Sequence, residues 1–120
     1  MKKVGVFAAG QIGRNLSVMF SGLGLDVVLF SRNKEKTKKE IMLNIKIAKK
    51  LNHNLKLDEY SLLITDDISE LKNCDLVVEA VNENLDVKRA CLSSISNVVN
   101  ENTIISSTTS TKSITELANS

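Results

Sequence analysis

The chain has 120 residues, two cysteines, one histidine and a net charge of +2, a length that points to one domain. So small a charge argues against a nucleic-acid partner. A lone histidine without a Cys/His/Asp cluster argues against a metal site, and no apolar run approaches the ~20 residues of a membrane span. Hydrophobic residues make up 42% and aromatics only 3%, so the core must be packed from Ile, Leu and Val. The first strand starts almost at Met1, which leaves no room for a signal or transit peptide. The expected location is therefore cytoplasmic, and Cys74 and Cys91, which lack metal-ligand spacing, are expected to be reduced and structural.

Lys2 to Arg32 reads as strand, glycine turn, helix, strand. Val4, Val6 and Phe7 form a short apolar strand that runs into Ala8-Ala9-Gly10-Gln11-Ile12-Gly13. Ile12, Leu16, Met19, Phe20 and Leu23 then recur at helical spacing, Gly22 and Gly24 supply a helix stop, and Val27 to Phe30 form a second buried strand. A helix opening on a glycine turn exposes unpaired N–H groups and the positive end of its dipole, which suits a diphosphate. Gly10 lets the backbone approach that group, and Gly13 lets the helix pack tightly on the strand. Ala8 stands where G-x-G-x-x-G has its first glycine, a substitution that fits if φ stays negative. The strand-turn-helix context points to a dinucleotide.

Asn33 is placed to cap a long helix reaching about Leu51, with Ile41, Ile45, Ala48 and Leu51 on one face. Its lysines (Lys34, Lys36, Lys38, Lys39, Lys46, Lys49 and Lys50) make either a solvated face or a basic surface near an anionic ligand. Asn52-His53-Asn54 breaks the helix and Asp58 opens a short turn. Leu62–Thr65 is a third strand, Asp66–Leu71 a short helix, and Leu76 to Val81 a fourth strand. Asn84 caps a helix to Val99, Thr103–Ser107 is a fifth strand, and Ile114 to Ala118 a last helical turn. Strands alternating with helices imply an α/β, doubly wound parallel sheet of the Rossmann type. Its order is 3-2-1-4-5, with a helical insertion between strands two and three and the ligand crevice between strands one and four.

Three segments carry a resemblance: AAGQIG with VVLFSRN, DLVVEAVNENLDVKRA, and TIISSTTSTKSITELA. From Lys2 to Ala118 they resemble the NAD-binding domain of the 3-hydroxyacyl-CoA dehydrogenase family. The resemblance implies that Ala8, Ala9, Gly10, Gln11, Ile12 and Gly13 wrap the pyrophosphate and that Ala80 and Val81 lie beside the cofactor. Glu83 and Lys88 match the family's residues at the nicotinamide half; read alone, they are a capping acid and a surface lysine. Ser110 matches the family's serine that hydrogen-bonds the substrate's 3-oxygen, a task suited to a hydroxyl that both donates and accepts.

The chain departs from the family at several points. Thr108 stands where the family has Asn, which alters a side-chain amide contact. Ser31 replaces the acid that takes the adenosine ribose hydroxyls, and Arg32 follows it. Without a carboxylate to repel it, a 2′-phosphate can pair with the guanidinium, so the cofactor is NAD or NADP, with NADP tolerated or preferred. The alternative is that Arg32 is a surface residue and Ser31 a weaker ribose contact. The family also continues into a sixth strand, an H-F-F-N-P segment whose histidine is the general acid/base, and an all-helical domain. Residues 1–120 therefore read as a dinucleotide-binding domain truncated before the sixth strand, with little turnover of their own. His53, between strands two and three, cannot replace that histidine. Strand five is an unprotected edge, so a second copy in a homo-oligomer, a partner chain or a missing C-terminal half is expected to cover it.

The function expected from this resemblance is hydride transfer between NAD(P) and a 3-hydroxyacyl or 3-ketoacyl thioester, with this chain holding the cofactor. Alternatives are a non-catalytic nucleotide-binding or docking module, a dehydrogenase acting on an acyl carrier protein or a small hydroxy acid, and a remnant without function.

Overall fold

The computed structural model of the chain describes residues 3–8, 10–51, 62–81 and 84–107. Five parallel strands, β1 (Lys3–Phe7), β2 (Asp26–Phe30), β3 (Leu62–Thr65), β4 (Leu76–Glu79) and β5 (Ile104–Ser107), form one sheet in the order β3-β2-β1-β4-β5. The order expected from the sequence is the one observed. Helices α1 (Gln11–Gly22) and α2 (Lys34–Leu51) supply Val18 and Ile41 to a cluster with Val6, Val27 and Leu29 on one face. On the other face, α3 (Leu85–Val98) and a 3-10 turn (Ile68–Leu71) supply Cys91, Ile95 and Leu71 against Phe7, Val28, Phe30 and Val77. Alternate residues of the strands thus feed two separate cores.

The last rung of the sheet matters most for function. Thr65 pairs with Phe30, Phe30 with Phe7, Phe7 with Glu79, and Glu79 with Ser107. Beyond it the ladder runs on: the Ala8 N–H donates to the Phe30 carbonyl at 3.1 Å, and the Ala80 N–H to that of Phe7 at 3.0 Å. β4 ends at Glu79, so Ala80 and Val81 lie past the strand that the sequence reading extends to them.

Local signals explain most element ends. Asn33 Oδ1 accepts from the Lys36 N–H at 3.3 Å, and Asn84 Oδ1 from that of Val87 at 3.0 Å, each capping the helix it precedes. Gly24, at φ +88°, closes α1. The short helix starts at Ile68 rather than Asp66, because the Asp67 carboxylate takes the Ser69 amide and hydroxyl at 3.0 and 2.7 Å. Those bonds hold the Asp67 carboxyl below its ordinary range. Cys74 and Cys91 are buried thiols outside any disulfide, and burial pushes the Cys74 thiol up.

Two apolar faces read from periodicity differ from the structure. α1 turns Gly13, Ser17, Val18 and Ser21 to the sheet, while Ile12, Met19 and Leu23 are exposed. Close approach of this helix to the end of β1 leaves no space for a side chain at Gly13, and Ser17 satisfies its hydroxyl on the Gly13 carbonyl at 2.8 Å. On α2, Ile41 is buried, Ile45 and Ala48 pack at its flank, and Leu51 is 83% exposed. The break at Asn52–Asn54, His53, the turn at Asp58 and the final helical turn lie outside the described residues.

Candidate functional site: a cleft over the sheet ends

A cleft of about 390 Å³ opens over the C-terminal ends of β1 and β2 and reaches Val81 past β4, across the β1–β4 boundary where the order of strands reverses. Ligands of open α/β sheets bind at such a switch point. Its floor is the Phe7–Phe30 ring stack, with centroids 4.7 Å apart and planes 20° from parallel. Ala8 and Gly10 form one wall, Ser31 and Arg32 lie at the β2 end, and Val81, Val87 and Cys91 lie at the α3 end.

Gly10 is the N-cap of α1 and brings no side chain to that role; among the described residues no side chain caps this helix. Its first turn contains no acid, so an anion would meet open N–H groups and the positive dipole end. A Cβ built on Gly10 meets nothing within 4 Å, and Gly10 itself lines the cleft. Gly13 is the opposite case: a Cβ there would fall 2.0 Å from the Ala8 carbonyl oxygen. One glycine therefore leaves space for a ligand, and the other leaves space for the strand.

Ala8 has φ +91°, the positive region that L side chains avoid. The negative φ under which alanine would fit is not the one adopted. The turn keeps the shape a glycine would give it and bears the strain of a Cβ. Ala8→Gly is therefore expected to stabilise the chain by about 1 kcal/mol, read as a rise of roughly 4 °C in Tm; thermal melting of both proteins checks this.

At the β2 end the Ser31 hydroxyl is already engaged. It lies 2.6 Å from the Thr37 hydroxyl and accepts from the Asn33 N–H at 3.2 Å. Arg32 is exposed at the rim, with Lys36 one turn into α2 also lining the cleft. Arg14 is held by Glu40 at 2.6 Å and donates from Nε to Asn44 Oδ1 at 3.2 Å. Among the described lining residues the one carboxylate, Glu40, is matched by Arg14, and Arg32 and Lys36 are further cations at this end.

Past the α3 end, Lys88 is buried rather than a surface lysine. Its ammonium contacts Glu79 Oε1 at 3.1 Å and Oε2 at 3.4 Å and donates to the Val81 carbonyl. Glu79, fully buried, also accepts from the Val81 N–H at 2.6 Å and the Ser107 hydroxyl at 2.5 Å.

The structure thus brings Ala8, Gly10, Ser31, Arg32 and Val81 to one cleft. Gln11 and Ile12 are exposed on the first turn of α1, Gly13 lies beneath it, and Ala80 joins the core on the α1 side. Ala9, Glu83, Thr108 and Ser110 lie outside the described residues. Sequence reasoning missed the Phe7–Phe30 floor, Arg14 with Glu40, and Glu79. Only Glu79 had a visible signal, an acid inside the apolar run Leu76–Val81.

Comparisons with known proteins agree with this geometry. Residues 3–120 match the family profile described as 3-hydroxyacyl-CoA dehydrogenase, NAD binding domain. A 3-hydroxybutyryl-CoA dehydrogenase of Bradyrhizobium diazoefficiens is 30% identical over 98% of this chain and 43% of its own length. The mitochondrial hydroxyacyl-coenzyme A dehydrogenase of Homo sapiens is 35% identical over 99% of this chain and 42% of its own. Among solved structures, the (S)-3-hydroxybutyryl-CoA dehydrogenase PaaH1 of Ralstonia eutropha superposes with a TM-score of 0.86 at 28% identity. That match covers 99% of this chain and 44% of the other. The chain spans less than half the length of these relatives. With the switch-point cleft, the uncapped helix and a profile match along nearly its whole length, the chain belongs to the 3-hydroxyacyl-CoA dehydrogenase family, as its NAD-binding domain.

Proposed function

We propose that this chain is the cofactor-holding portion of an oxidoreductase that moves hydride between NAD(P) and a 3-hydroxyacyl or 3-ketoacyl thioester. The observation that carries the reading is the cleft itself, which runs from Ser31 and Arg32 past the open N-terminus of α1 to Val81 and Val87. That span suits an adenosine at the β2 end, a diphosphate at Gly10 and a nicotinamide at the α3 end. A bound nicotinamide would supply the hydride chemistry. The protein's part is to hold and orient: amides at Gly10 and beyond for the diphosphate, the Phe7–Phe30 floor to exclude water, and Val81 and Val87 as an apolar wall. Ser110 is proposed to hydrogen-bond the 3-oxygen of the substrate, and the names of the relatives support an acyl-CoA. β5 is the last strand of the described sheet and Ile104 on it is exposed. A second copy or a C-terminal helical domain is proposed to cover it.

NADP is proposed to bind at least as well as NAD. Ser31 puts no negative charge at the ribose, its hydroxyl is already taken by Thr37 and Asn33, and Arg32 and Lys36 offer cations to a 2′-phosphate. Calorimetric titration with NADH and NADPH tests both levels. NADPH is expected to bind as tightly or tighter, and Arg32→Glu to weaken NADPH about tenfold, with NADH little changed. Tenfold tighter NADH would overturn the NADP preference, and heat from neither would overturn the dinucleotide reading.

A further inference from the structure

Glu79 and Lys88 form the buried ion pair of the described residues, with side chains 0% and 9% exposed, and no step proposed above uses it. Removing two charges from water costs several kcal/mol, and apolar residues of similar volume are often as stable or more so. A pair kept at the edge of a ligand cleft therefore calls for a geometric reason, and its partners supply one. Oε1 takes the N–H of Val81, two residues on, and so fixes how the chain leaves β4 and forms the cleft wall. Oε2 takes the hydroxyl of Ser107, the last residue of β5. Lys88 reaches in from the first turns of α3, next to Val87 of the cleft wall, and ties that helix to the same carboxylate and to the Val81 carbonyl.

We infer that Glu79 is a positioning residue for the nicotinamide end of the cleft, acting through Val81, Lys88 and Ser107. The inference rests on the dinucleotide reading above. One carboxylate sets the exits of two strands and the seat of one helix, all on the β4 side of β1. The adenosine end is built from Ser31, Arg32, Lys36 and Thr37 on the β2 side and shares no bond with this network. Lys88 places its donors on Glu79 and the Val81 carbonyl, which ties the start of α3 to the cleft wall. Disturbing Glu79 should consequently weaken binding at one end only.

ADP carries the adenosine and both phosphates but no nicotinamide half, so it separates the two ends. Calorimetric titration of the chain, of Glu79→Gln and of Ser107→Ala compares NADPH and NADH with ADP. Glu79→Gln is expected to weaken both dinucleotides about tenfold and Ser107→Ala about threefold, with ADP changed less than about twofold in each. Ser107→Ala removes one donor at a half-buried position, so it keeps the comparison usable if Glu79→Gln does not fold. Equal losses for ADP and the dinucleotides, or no loss for either, would overturn the inference. If the parent chain bound neither dinucleotide, the underlying reading would fail as well, which a dinucleotide-binding parent with unaltered variants would not imply.

Discussion

Gly13→Ala is expected to cost at least about 3 kcal/mol, a large share of the total stability of a domain this size. The added methyl would lie 2.0 Å from the Ala8 carbonyl oxygen and 3.1 Å from its carbonyl carbon. The nearest obstacle is backbone, which cannot rotate away as a side-chain end could. Relief would require α1 to lift from β1, which would pull Val18 and Ser17 out of contact and open the turn. Gly10→Ala is the control. Its Cβ meets nothing within 4 Å and its φ is −69°, so stability should stay within about 0.5 kcal/mol, while a methyl is added at the turn proposed to hold the diphosphate. Urea unfolding of both variants, followed by dinucleotide titration of Gly10→Ala, reads the contrast. Equal stability losses would show that the tight contact at Gly13 relaxes more easily than its geometry implies.

The second large effect is expected from Lys88→Met, at about 3–5 kcal/mol. Methionine fills the volume of the lysine stem but leaves the Glu79 carboxylate, fully buried, without a counter-ion. Two neutral donors remain, the Val81 amide and the Ser107 hydroxyl, and they do not offset a buried charge. Replacing Glu79 by Gln in the same protein removes that charge, so the double variant should recover most of the loss. Chemical denaturation of the two single variants and the double one gives the coupling directly. Additive losses would mean that the ammonium and the carboxylate do not depend on each other.

The sheet was legible because its signals agree at every level. Apolar runs bounded by turn residues mark β1, β2, β3 and β4, Asn33 and Asn84 mark helix starts, and alternation of the two element types dictates the strand order. The buried face of α1 was not legible. Hydrophobic periodicity points to Ile12, Met19 and Leu23, whereas close packing selects Gly13, Ser17 and Ser21; the distance between two elements is not written in the period of either one. The glycine turn and the Ser31–Arg32 end of the cleft could be placed from sequence because a motif ties them to strand ends. The backbone of Ala8 could not, since residue identity argues against the φ it adopts. Nor could the partner of Lys88, because side chains nine residues apart meet only once β4 and α3 are folded together.

The terminal rung of the sheet changes character along its length, from two stacked phenylalanines on β2 and β1 to a carboxylate and a hydroxyl on β4 and β5. On the proposed reading, neighbouring strands divide the labour of recognition, and the boundary falls between two adjacent backbones. An engineer could exchange residues 31, 32 and 36 to alter which phosphate ester is admitted without touching the half where electrons would move. In the same way, natural drift in coenzyme choice could proceed within this scaffold while its redox half stayed unchanged.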